Sequence, residues 1–64
     1  MDWLERVKEE RDELRNKREK LLDFCTSDKF SELPQEHQQL LLAQASVIFS
    51  YIHILNARIT LAEK

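Results

Sequence analysis

Two arginines interrupt an otherwise apolar pattern. Leu4, Val7, Leu14, Leu21 and Cys25 recur at three- and four-residue spacing, and Arg11 and Arg18 fill the gaps. On a helix, these seven positions make one unbroken heptad seam. An arginine in a seam has two uses. Its stem can lie along the edge while the guanidinium reaches water or a carboxylate across the seam. Alternatively, the pair can line a shared pocket and hold an anion, because guanidinium suits bidentate phosphate contacts in partly buried sites. A dry, unpaired guanidinium is costly, so either use demands a partner.

The other reactive groups point away from catalysis. Cys25 with His37 or His53 could form a nucleophile and its base, but a lone cysteine at a helix end reads as a packing residue. No catalytic residue is assigned, and the chain is expected not to be an enzyme. His37 and His53 stand sixteen residues apart with no second thiol, so no metal site and no cofactor are expected. The sequence contains no glycine, which excludes the glycine-rich loops that cradle phosphate. Any phosphate must be held by side chains or helix N-termini. Trp3 and Tyr51 are the aromatic groups best suited to stack on a base, although core packing with its hydroxyl bonded is the simpler role for Tyr51. His53 could pack at an interface or face a ligand. The basic run "RNKREK" reads as a solvated face. A net charge of −2 argues against a long nucleic acid as partner.

The elements that position these groups are helical. Residues 2–25 are rich in Glu, Lys, Arg and Leu, strong helix formers. "CTSDKFSELP" breaks the pattern with residues that favour caps and turns, and one short helical turn fits there. Pro34 suits the first turn of the next helix. The expectation is a single all-α domain of a helix over 2–25, a turn over 26–33 and a helix over 34–62. The short connection makes the two helices an antiparallel hairpin.

The stretch "LLLAQASVIFSYIHIL", residues 40–55, is apolar on nearly every side. One stripe is Leu41, Ile48, Ile52, Leu55 and Ile59. A second is Leu40, Val47, Tyr51 and Ile54. A third is Leu42, Ala45 and Phe49. The first helix can cover one broad stripe, and the rest calls for other copies of the chain. A chain this short is marginal without a staple, and one cysteine rules out an internal disulfide. A homo-oligomeric helical bundle is therefore expected, with Leu40, Val47, Ile48, Tyr51, Ile52 and Leu55 at its interface. A membrane span needs about 20 consecutive apolar residues. This run is shorter and interrupted by Gln44, Ser46, Ser50 and His53, so no membrane partner is expected. The charged start "MDWLERVKEERDELR" reads as neither a secretory signal nor a transit peptide, and the lone thiol suits a reducing cytoplasm.

A longer pattern runs through Lys20, Leu21, Phe24, Ser27, Phe30, Leu33, Leu40, Leu41, Gln44, Tyr51, Leu55, Arg58 and Ile59. It resembles a group of short bacteriophage helical-hairpin proteins, similar in style to the anti-CBASS and anti-Thoeris sponges. That resemblance implies a protein that oligomerises and sequesters a cyclic oligonucleotide alarm signal without cleaving it. Arg11, Arg18, Tyr51 and Arg58 are the candidate ligand contacts. The alternative is a small oligomeric interaction protein that binds and inhibits a host or phage protein through its apolar face.

Overall fold

Three helices account for nearly the whole chain. The computed structural model describes residues 2–64, with α1 over Asp2–Cys25, α2 over Asp28–Ser31 and α3 over Gln35–Ala62. The all-α expectation holds. Asp2 and Glu5 lie in the first turn of α1, where carboxylates offset the positive end of the helix dipole.

A glycine-free chain must end α1 without the left-handed residue that commonly closes a helix. No described residue has positive φ. Side-chain hydroxyls satisfy the terminal carbonyls instead. Thr26 Oγ1 donates to the Asp23 carbonyl at 2.9 Å and Ser27 Oγ to that of Phe24 at 2.6 Å. Ser27, with φ −86° and ψ 162°, then caps α2, its hydroxyl accepting from the Phe30 N–H. The short turn brings Phe30 edge-on to Phe24, with ring centroids 6.2 Å apart. Gln38 Nε2 reaches back to the Leu33 carbonyl at 2.9 Å and fastens the connection to α3.

Pro34 stands one residue earlier than the sequence suggests. It occupies the N-cap of α3 rather than its first turn, with ψ 145°. Its carbonyl accepts from His37 and Gln38, at 3.0 and 3.1 Å. The cap needs a non-helical ψ and a free carbonyl but no N–H, which proline supplies.

Contacts between α1 and α3 run in opposite directions along the two helices. Lys8 Nζ meets Glu63 at 2.7 Å, Arg11 meets Asn56, and Arg18 lies over Phe49. Val7, Leu55 and Ile59 form the centre of the packing, with Leu4 and Leu14 against them. Ala45 and Ile52 are also buried. The described chain is a rod of 46 × 14 × 13 Å.

The stripe that α1 covers is thus the one through Leu41, Ile48, Ile52, Leu55 and Ile59. Leu40, Val47 and Ile54 of the second stripe are exposed. By length and composition, α3 is long and apolar enough to cross a membrane. This departs from the expectation drawn from residues 40–55 alone. The interrupting residues are uncharged, and the stretch from Gln38 to Ala57 contains no Asp, Glu, Lys or Arg.

Candidate functional site

The seam arginines meet α3 on a single flank. Phe49 and Asn56 are seven residues apart on α3, as Arg18 and Arg11 are on α1. Seven residues are close to two helical turns, so each pair shares a face. Arg11 Nη1 points to Asn56 Oδ1 at 3.5 Å, and its Nε donates to Asp12 at 3.1 Å. The Arg18 guanidinium lies over the Phe49 ring, with Cζ 4.7 Å from the centroid. The Phe49 ring in turn leans on His53, 5.1 Å between centroids and tilted by 33°.

Neither arginine is neutralised across the seam. α3 carries no carboxylate between Glu36 and Glu63, so the facing surface has nothing to offer. Asp12, the partner of Arg11, is its neighbour on α1 and largely exposed. Arg18 Nε is buried and has no hydrogen-bond partner. A buried N–H without an acceptor costs free energy, while the cation–π contact returns part of it. Arg18, Phe49 and His53 therefore form a stacked row of cation, ring and imidazole at the edge of the helix pair. Phe49 is 46% exposed, so the row is open to solvent. Such a row offers a phosphate a guanidinium edge and a base an aromatic face.

Tyr51 and Arg58 occupy the opposite flank. Tyr51 is two residues beyond Phe49, about 200° around the helix. Its hydroxyl donates to Glu10 Oε2. That carboxylate raises the tyrosine's pKa above its ordinary value, mainly through the hydrogen bond, while the Arg58 charge pulls the other way. The four candidate ligand residues thus divide into two pairs, with Arg11 and Arg18 on one side and Tyr51 and Arg58 on the other.

The six residues expected at an interface between copies also divide. Leu40, Val47 and Tyr51 are exposed. Ile52 and Leu55 are buried against α1 within one chain, and Ile48 is half-buried. Three equivalent-looking stripes in the sequence could not show which one α1 takes. From the sequence, Phe49 takes no ligand role and His53 stays open between an interface and a ligand. The signal that finds Phe49 is the antiparallel order of contacts, which sets position 49 opposite position 18.

Cys25 is half-buried at the end of the α1 seam. No cavity is present among the described residues of the single chain. A ligand larger than an ion would lie in a surface groove or between copies.

Neither a curated protein nor a solved structure matches the chain. A family model described as Sequestin matches residues 1–61, nearly the whole sequence and both flanks of the site. The name speaks of sequestration, a binding function, and on that match the chain belongs to the Sequestin family.

Proposed function

We propose that this chain is a phage counter-defence protein that sequesters a cyclic oligonucleotide immune signal in the host cytoplasm without cleaving it. The observation that carries the reading is the Arg18–Phe49–His53 row with Arg11 beside it. Two guanidiniums stand on one flank, no carboxylate faces them, and an aromatic ring stacks beneath one. An anionic ligand supplies the missing acceptor. Arg11 and Arg18 lie about 10 Å apart along α1, so one ligand with more than one phosphate can meet both. Tyr51 and Arg58 hold a second contact on the opposite flank. Hairpins of this kind assemble into a homo-oligomeric bundle, and the ligand is enclosed where copies meet.

Sequestration requires affinity and abundance, with no nucleophile, base or metal. The family name supports a sequestering role, and the cyclic oligonucleotide is the ligand class that the arginine-and-ring chemistry fits. A second reading draws on Leu42 and Phe49, exposed apolar residues beside the row. They suit an interaction protein that blocks a host or phage protein. A thermal-shift panel of cyclic di- and trinucleotides separates the two. A ligand bound by the folded chain alone raises the melting temperature. A rise with one or more members supports sequestration. No rise across the panel, with a folded chain, rejects it in favour of the protein partner.

A further inference from the structure

The face of α3 turned away from α1 carries a second, stricter heptad. Leu40, Val47, Ile54 and Leu61 recur every seven residues and are 58–68% exposed. Ala43, Ser50 and Ala57 each follow three positions after a large residue. The whole series alternates by three and four along an unbroken helix, which is the spacing of a coiled-coil seam. The large residues fall on one of its two core positions and the small residues on the other. We infer that this face pairs with a second copy of the chain, α3 against α3, in antiparallel orientation about a two-fold axis.

The alternation of size decides the direction. Parallel pairing would set Leu40 on Leu40 and Ala43 on Ala43, giving alternately crowded and empty layers. Both overpacking and voids are destabilising. Antiparallel pairing sets Leu40, Val47 and Ile54 each against a small residue, so that these central layers have similar volume, and it places Leu61 at the end of the seam, opposite Glu36. Leu40 then faces Ala57 of the second copy, Val47 faces Ser50, and Ile54 faces Ala43. In this register Gln35 faces Ala62, so the two 28-residue helices overlap along their full length. The same residues serve on both copies, as a two-fold interface requires.

Charge and core size favour the same occupant. From Gln38 to Ala57 the helix carries no Asp, Glu, Lys or Arg, so pairing desolvates no formal charge along that length. One chain buries only Val7, Ala45, Ile52, Leu55 and Ile59 among the described residues, a small core for 64 residues. A stable interface takes about 800 Å² from each partner, roughly a sixth of the chain's 5138 Å² surface. The α3 face runs about 42 Å at the standard helical rise, which is long enough to supply it. The pairing stands apart from the ligand reading, because it is tested without any nucleotide.

The test uses the full chain in a Cys25→Ala background. Leu40→Cys and Ala57→Cys chains are prepared separately, mixed and treated with a short bismaleimide. Antiparallel pairing joins the two different chains. Leu40→Cys alone then stays unlinked, because its two copies lie about 25 Å apart along the axis. Self-linking of Leu40→Cys overturns the proposal by showing parallel pairing. Sedimentation without cross-linker is expected to report a dimer or a multiple of one, and a monomer at 100 μM would overturn it. Val47→Lys places a charge on the new face and touches no part of the α1 seam. It is expected to raise the dissociation constant by roughly a hundredfold or more while the chain stays helical. Unchanged assembly in Val47→Lys moves the interface elsewhere and also overturns the proposal. A final arm adds phosphatidylcholine vesicles. Loss of the mixed cross-link with uptake of the chain into the vesicles assigns the face to a membrane instead.

Discussion

Replacing Arg18 with methionine separates a ligand-binding arginine from a structural one, because the two roles predict opposite signatures. The guanidinium sits 4.7 Å above the Phe49 ring with its Nε buried and unbonded. A half-exposed cation–π contact contributes about 0.5–1 kcal/mol. An orphaned buried donor costs about 1–3 kcal/mol. Arg18→Met removes both and keeps the stem. It also gives Phe49 a sulfur contact worth about 0.3–1.5 kcal/mol. The balance runs from almost no change to a gain of about 4 kcal/mol, and each kcal/mol raises the melting temperature of a domain this size by about 4–8 °C. Binding moves the other way. A hydrogen bond to a charged group contributes about 1.5–3 kcal/mol, so losing one weakens an anionic ligand roughly 10- to 150-fold. Calorimetry with the ligand found by the nucleotide panel, alongside melting curves of the free protein, reads both. Lost affinity with unchanged or higher stability is the expected result. Full affinity in Arg18→Met refutes the assignment, as does lost stability with intact affinity.

Three further outcomes follow from the packing and the titrating groups. Leu55 is completely buried, and Leu55→Ala is expected to cost about 2.7–5 kcal/mol, enough for circular dichroism to show a largely unfolded chain at 37 °C. Tyr51 is the sole tyrosine, and its phenolate absorbance should titrate above the ordinary value, with Glu10→Gln lowering the midpoint. Because the folded pKa is raised, the Tyr51–Glu10 contact stabilises the fold below the unfolded tyrosine pKa and is lost as pH rises through the folded one. Equal midpoints in both proteins would dismiss the contact. Cys25→Ala should cost about 1–2 kcal/mol by lost burial and leave binding intact, whereas a folded but inactive variant would reopen a catalytic role for the thiol.

The helices and the α1 seam were legible because periodicity depends on local spacing alone. Leu4, Val7 and Leu14 lie against the core as their intervals require, and Arg11 and Arg18 fall on the same face. Local spacing does not specify which of several apolar stripes a neighbour will cover. Ile52 and Leu55 are as apolar as Val47 and Ile54, and only the pairing with α1 distinguishes them. The site residues divide for a related reason. Arg18 and Tyr51 are each plausible ligand groups, but their contacts with Phe49 and Glu10 are cross-helix facts, invisible until the register is known. Phe49 was legible as an apolar residue and not as the ring beneath Arg18.

The composition of α3 makes sense once its faces are assigned separately. A helix with a single partner needs one apolar stripe and gains solubility from charges elsewhere. α3 places buried Ala45, Ile52, Leu55 and Ile59 toward α1, and the opposite side repeats Leu40, Val47, Ile54 and Leu61 with small residues between them. A charge introduced on that outer side would cost little in the lone chain, because those positions are exposed there. In the proposed paired state it would be expensive at Leu40, Val47 or Ile54, whose partner positions offer only Ala or Ser. The absence of charge from Gln38 to Ala57 is therefore expected of a helix covered on two sides. It is costly for one that leaves its second side in water, where apolar patches of this length promote association. Charge is concentrated instead on α1, which has one partner and a solvated back. The guanidiniums of α1 that turn inward, Arg11 and Arg18, meet a helix with no acid to offer them; Arg11 turns to Asp12 and Asn56, and Arg18 Nε is left without an acceptor, which the proposed anion would supply.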